Sequence, residues 1–281
     1  MLFVLEFLLV LFLVSIFAGV FGSIVGLGGG IVIVPVLTLF LGVDIHFAIG
    51  ASIVAIIGTS SGAASTYVKD KVTNLRVGMF LELASTSGAI MGAALAAYTN
   101  SALLELIFGG ILLVTLIPTL MKVGEDIPKS PELKGLAKRL ALKGRYPEKD
   151  GSVVEYNTTR PVAGLVGTWF AGILSGLLGI GGGAFKVLSM DLAMKLPMKV
   201  STTTSNFMIG VTAAASAGIY FERGDVNPIV VAPVAIGILI GAAIGARMLL
   251  RSRNPTVRVI FVIVLAITAV EMVLSSLGIA V

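Results

Sequence analysis

Lys186 lies in the apolar stretch GGGAFKVLSM, one turn beyond three consecutive glycines. A positive charge in such surroundings is costly and either lines a pathway or holds a partner. The pentad ahead of it, GIGGG at residues 179–183, has a near copy, GLGGG, at residues 26–30. A hydroxyl-bearing segment follows each pentad: IGASIV with Ser52, and STTTSNF with Thr202, Thr203, Thr204, Ser205 and Asn206. The first turn of a helix carries unpaired N–H groups and a partial positive charge. Glycine lets an anion approach them closely. Such a turn, a cation and short neutral donors together suit a small oxyanion. The candidate substrate-binding residues are Gly28, Gly29, Gly30, Ser52, Gly181, Gly182, Gly183, Lys186, Thr204, Ser205 and Asn206. Each has a purely structural alternative. The glycines would allow tight helix packing, the hydroxyls would bond to their own helix, and the lysine would snorkel or pair with Asp191.

Other chemistries find little support. There is no cysteine, which removes disulfides, thiol catalysis and thiolate metal sites. The lone histidine, His46, cannot build a His-rich zinc site and reads as a loop residue beside Asp44. GIGGGA fits G-x-G-x-x-A formally, but no strand–helix unit surrounds it, and no P-loop signature is present. The expectation is a protein that is not an enzyme, with no cofactor and no metal. The net charge of +5 sits in short clusters between apolar runs, as in membrane loops, and does not point to nucleic acid. Glu82 and Glu271 fall within or at the ends of apolar spans. They are candidate proton carriers in a chain whose coupling ion would be a proton or sodium.

The elements that must position these residues are membrane helices. The chain is 57% hydrophobic and 12% charged, whereas soluble domains are about half apolar and about a quarter charged. No charged residue occurs from Phe7 to Val43. That run is too long for one span of about 20 residues, so the glycine pentad must break it. The pattern predicts helices over residues 2–22, 31–41, 47–68, 77–98 and 103–121. A polar linker, 122–160, follows, with an amphipathic helix at 132–142. Helices then recur over 161–178, 184–194, 200–221, 228–250 and 256–275. The N-terminal apolar stretch lacks a basic start and exceeds signal-peptide length, so it reads as a retained span.

The two halves repeat. Gly28 matches Gly181, 153 positions on, and the same offset pairs Gly19 with Gly172, Ser52 with Ser205, and Tyr67 with Tyr220. It also pairs Asn74 with Asn227, Gly88 with Gly241, Gly92 with Gly245, and Phe108 with Phe261. The chain therefore divides into a first transmembrane repeat (1–121), a linker (122–160) and a second transmembrane repeat (161–281). The G-x-x-x-G pairs, Gly88 with Gly92 and Gly241 with Gly245, read as close helix contacts. Lys and Arg accumulate on the cytoplasmic side of a membrane. The Lys- and Arg-rich linker is expected there, with both termini outside. The turn around residues 99–101 lacks a basic residue, while the counterpart turn has Arg251 and Arg253. The loop around Asp44 has none, against Lys195 and Lys199. The third pair reverses, with Lys69, Lys71 and Arg76 against Arg223. The expected fold is an all-α polytopic membrane protein of two inverted-topology repeats, about five segments each, with glycine-broken helices near the bilayer midplane.

The stretches GSIVGLGGGIVIVPVLTLFLGVDIHFAIGASIV and SGLLGIGGGAFKVLSMDLAMKLPMKVSTTTSNFMIGVTAAASAGIY resemble the paired signatures of the sulfite exporter TauE/SafE family. The resemblance covers the chain apart from the linker. It implies a secondary transporter, or permease, in the cell membrane that carries sulfur-containing anions such as sulfite, or organosulfonates such as sulfoacetate, by alternating access. An anion channel, or a transporter of another small organic anion, remains the alternative. The partners implied are a small anionic substrate and the lipid bilayer. At one point the second half departs: Leu188 stands where Pro35 stands in the first. That change is expected to loosen the second short helix. Inversion has a direct test in this cysteine-free chain. Single cysteines placed at Thr99 and at Ser252 are expected to react with impermeant reagents from opposite faces of the membrane; labelling from one face refutes it.

Overall fold

The computed structural model describes residues 2–25, 28–69, 71–120, 132–147, 152–251 and 255–278. Gly26, the linker residues 121–131 and 148–151, and Ser252 with Arg253 lie outside the described residues. The described chain is mainly helical: α1 (Leu2–Val25), α2 (Gly30–Pro35), α3 (Ile45–Lys69), α4 (Leu75–Ala96) and α5 (Ser101–Leu120) form the first half. After a short α6 (Gly135–Arg139) come strands β1 (Lys143–Pro147) and β2 (Val153–Asn157). The second half runs α7 (Pro161–Leu178), α8 (Gly183–Leu188), α9 (Met198–Glu222), α10 (Pro228–Arg251) and α11 (Pro255–Ser276).

Five described helical stretches are long and apolar enough to cross a membrane: Glu6–Ile24, Ile45–Ala63, Leu75–Ala96, Pro161–Leu178 and Pro228–Met248. The protein is a multi-pass membrane protein. Helix α9 lacks the hydropathy of these five because its first half contains STTTSN, but those six side chains are all buried.

Local signals set the boundaries. Asn74 and its match Asn227 both serve the start of a fourth helix. Asn74 Oδ1 accepts from the Val77 N–H at 3.1 Å, and Asn227 Oδ1 from the Ile229 N–H at 3.0 Å. Pro161 opens α7, where its missing N–H costs nothing, and Gly179 closes it in the left-handed conformation. At the breaks, Gly29 and Gly182 hold φ of 74° and 63° directly ahead of α2 and α8. A side chain there would be strained. Both short helices then widen into π-helical turns, Val36–Phe40 and Ser189–Ala193. With Leu188 in place of a proline, α8 has the same length as α2. The widening begins at the residue after Pro35, and leucine at 188 does not remove it in the second half.

Helices of the two halves interleave. Helix α1 packs along α10, and α4 packs along α7. Helix α3 lies against α10, α9 against α4, and α3 against α9 in the middle, while α5 pairs with α11. Glycine makes the closest of these contacts possible. A Cβ on Gly88 or Gly92 would run into the carbonyl of Trp169 or Ile173 on α7. On the other pair, Gly241 and Gly245 lie against the carbonyls of Ile16 and Val20 on α1.

The linker departs from expectation. Its helix is shorter than 132–142, and it carries an antiparallel hairpin in which Gly144 faces Tyr156 and Tyr146 faces Val154. Tyr146 and Tyr156 are buried while Lys143, Arg145, Val153 and Glu155 are exposed. That alternation suits a strand with one face docked. The docked face packs on Val77, Leu81, Met190, Met194, Val200 and Met208. Asn74 Nδ2 donates to Tyr156 Oη at 2.8 Å, and the Thr159 N–H donates to the Met194 carbonyl at 2.9 Å. Burial raises the Tyr156 hydroxyl pKa to about 12, against the lowering effect of the Asn74 hydrogen bond. Where α3 begins, His46 Nδ1 lies 3.0 Å from Asp44 Oδ1, its Nε2 lies 3.1 Å from the Thr99 carbonyl, and Ser101 Oγ donates to Asp44 Oδ2.

Gly92→Leu and Gly241→Leu are each expected to lower the melting temperature in detergent, since overpacking costs about 1–3 kcal/mol or more. Gly110→Leu, where an added Cβ meets open space, serves as the control expected to leave it unchanged. Equal melting of all three variants would remove the close-contact explanation.

Candidate functional site

The hydroxyls of α3 and α9 meet the glycine breaks, but they are used on backbone carbonyls. Ser52 Oγ on α3 donates to the carbonyl of Gly179 at 2.6 Å, across the repeats. A Cβ on Gly30 would strike both that carbonyl and Ser52 Oγ, so Gly30 and the end of α7 are in direct contact. Ser205 Oγ on α9 donates to the Gly183 carbonyl at 3.2 Å. Thr59 Oγ1 donates to the Gly28 carbonyl at 3.2 Å. Asn206 Nδ2 donates to the Ser23 carbonyl at 3.1 Å, and the Asn206 carbonyl accepts from Ser60 Oγ at 2.7 Å. A chain that leaves the helix in an apolar layer exposes carbonyls that water cannot satisfy, and these side chains satisfy them. Gly28, Gly30 and Gly183 thus lie against hydroxyls of α3 and α9, Gly29 and Gly182 lie against the carbonyls of Ala18 and Ala171, and Asn206 reaches the end of α1.

Two candidates lie elsewhere. Thr204 turns away from the breaks, and its Oγ1 accepts from the Asn74 N–H at 3.0 Å. It ties the start of α4 to α9. Lys186 departs further from the sequence expectation. It is fully buried, and its partner is not Asp191. Its Nζ donates to Thr212 Oγ1 at 2.5 Å, and Thr212 Oγ1 donates to Glu82 Oε1 on α4 at 2.6 Å. Ser85 Oγ lies 2.9 Å from Thr212 Oγ1, and Thr86 Oγ1 donates to Glu82 Oε1 at 3.0 Å.

The donor inventory of this cluster is uneven. A hydroxyl has one proton and two lone pairs. Thr212 therefore receives from Lys186 and Ser85 while giving its proton to Glu82. An ammonium has three donors, and Lys186 uses one of them on a described partner. Glu82 Oε2 is buried and has no hydrogen-bond partner among the described residues. The cluster thus offers unused donors on a cation and an unused oxygen on a carboxylate, a rare condition for buried polar groups. Thr212 is the repeat match of Thr59, but Lys186 and Glu82 match Ile33 and Ala235. The cation and carboxylate exist once. Sequence reading placed Glu82 among possible proton carriers and missed Thr212. The available signal was its pairing with Thr59 at the 153-residue offset. Among the described residues there is no cluster of His, Cys, Asp and Glu suited to a metal.

A family model described as sulfite exporter TauE/SafE matches residues 11–272. The chain is 29% identical over 271 residues to the probable membrane transporter protein YunE of Bacillus subtilis (strain 168), covering 94% of this chain and 96% of that protein. It is 25% identical over 241 residues to the probable membrane transporter protein YdhB of the same organism, covering 85% and 88%. Identity is 24% over 261 residues with the probable membrane transporter protein MJ0441 of Methanocaldococcus jannaschii, covering 86% and 88%. No solved structure matches.

Thr212→Val keeps the shape of the side chain but removes the link between Lys186 and Glu82. It is expected to destabilise the protein by about 1–3 kcal/mol, the cost of leaving buried polar groups unpaired. Thermal unfolding in detergent checks this, and a melting temperature equal to wild type would remove Thr212 from the structural role.

Proposed function

The chain belongs to the sulfite exporter TauE/SafE family of membrane transporters, and on that premise we propose that it is a secondary transporter of small sulfur-containing oxyanions or organosulfonates. The observation that carries this is Lys186, a cation with no solvent exposure and, among the described residues, a single hydrogen-bonded partner. An anion on its unused donors would compensate the buried charge as Glu82 alone does only at one remove, through Thr212. Sulfite and sulfonate groups present several oxygens in the compact geometry such a point charge accepts.

In this proposal the two glycine breaks form the floor of the pathway. The bond from Ser52 to Gly179 joins the two halves while that from Ser205 to Gly183 holds the second break to α9, and exchanging the first would let one half move against the other. Alternating access about inverted repeats fits the interleaved packing, in which each half's first helix lies against the other half's fourth. The basic linker, with its docked hairpin, would then sit on the cytoplasmic face.

Purified protein is expected to bind at least one of sulfite, sulfate, thiosulfate and sulfoacetate, and Lys186→Gln to weaken that binding at least tenfold, about 1.4 kcal/mol or more. Unchanged affinity in the variant overturns the assignment to Lys186. Trans-stimulated counterflow in proteoliposomes is the expected transport signature, since a channel shows none.

A further inference from the structure

We propose that Glu82 takes up a proton when an anion binds Lys186, so that the site carries the anion and one proton together. The inference rests on the anion site proposed above and adds its coupling ion.

Position comes first. Glu82 lies on α4, in the first half of the chain, while Lys186 and Thr212 lie on α8 and α9, in the second. One hydroxyl separates cation from carboxylate, with 2.5 Å on one side and 2.6 Å on the other. An anion on the remaining ammonium donors therefore arrives beside Glu82. Two negative charges this close, away from water, do not both stay ionised, and the weaker acid takes a proton.

Among the described residues, the surroundings of Glu82 leave no other charge to absorb the change. Helix α7 has no ionisable side chain between Pro161 and Leu178. Helix α9 carries Lys199 and Glu222 at its ends, with Lys199 lying over the Tyr146 ring, and Tyr220, whose hydroxyl donates to the Gly176 carbonyl. The hairpin residues Lys143, Arg145 and Glu155 are exposed. Lys186 is the charged group that faces Glu82.

The second observation is the unpartnered oxygen. Oε2 of Glu82 is buried and receives no hydrogen bond from a described residue, while Oε1 receives two, from Thr212 and Thr86. Oε2 is thus the open position for the proton. The step balances simply. The carboxylate and one proton from the aqueous side give the neutral acid, Lys186 stays an ammonium, and the anion takes over as its counter-charge. Release reverses each part. For a monoanion the cluster holds one positive and one negative charge before and after binding; for a dianion such as sulfate or sulfoacetate the proton lowers the net negative charge of the occupied cluster from two to one. A cluster of constant net charge crosses the occupied and empty states without a buried imbalance.

Calorimetric titration of the full chain in detergent with sulfate and sulfoacetate, both fully ionised near neutral pH, tests this. Titration in two buffers of different ionisation heat counts the protons taken up. Wild type is expected to take up about one proton per anion, with affinity rising up to about tenfold per pH unit as pH falls. Glu82→Gln is expected to take up none, with affinity flat in pH. Anion binding by wild type without proton uptake overturns the proposal and leaves the anion site standing, as does uptake retained in Glu82→Gln. No binding to wild type of these two anions, of sulfite or of thiosulfate overturns the anion site and the coupling with it.

Discussion

A peptide chain that breaks out of the helix within an apolar layer must find every hydrogen-bond partner inside the protein. Much of this structure follows from that constraint at the two glycine breaks. The carbonyls of Gly28, Gly179 and Gly183 are met by Thr59, Ser52 and Ser205. Those hydroxyls have to lie on helices that pass directly beside the breaks, which makes α3 and α9 central and buried. A helix as polar as α9 in its first half is tolerable only when other helices surround it. Helices α4 and α7 lie against it, and they approach each other closely because glycines remove the side chains that would separate their backbones.

Onto the two sequence repeats the chain places one unmatched feature. Lys186 and Glu82 occupy positions whose repeat matches, Ile33 and Ala235, are apolar. The hydroxyl between them has a counterpart, Thr59, which serves a break carbonyl instead. The same structural part thus holds the backbone on one side and links two charges on the other. In a medium without water the lysine makes the carboxylate necessary, and the carboxylate fixes the lysine away from Asp191. The cluster ties α4 of the first half to α8 and α9 of the second, so a ligand that loosens it acts on the contact between halves.

The hairpin adds a second tie between α4 and α9, at the start of α4. Asn74 caps α4 through its side-chain oxygen, donates to Tyr156, and gives its N–H to Thr204. A residue that reads as a helix cap from its place before a span thus joins the linker to both helices. The linker sequence is polar overall, which hid the strand alternation around Tyr146 and Tyr156. A pattern of two buried aromatics among charged neighbours becomes legible only when a surface exists for them to dock on.

The sequence by itself determined the membrane class, the ten segments to within a few residues, the two breaks and their offset of 153 positions. These depend on local properties: hydropathy over a span length, glycine conformation and capping residues. It also singled out Lys186, because a charge in an apolar run is anomalous wherever it points. The tertiary structure alone decided what each polar side chain meets. Ser52 and Ser205 hold carbonyls, Thr204 holds Asn74, and Lys186 meets Thr212 and Glu82, which lies 104 positions earlier in the chain. Hydrogen bonds are directional and short, so partners are set by the crossing of helices and not by separation along the chain.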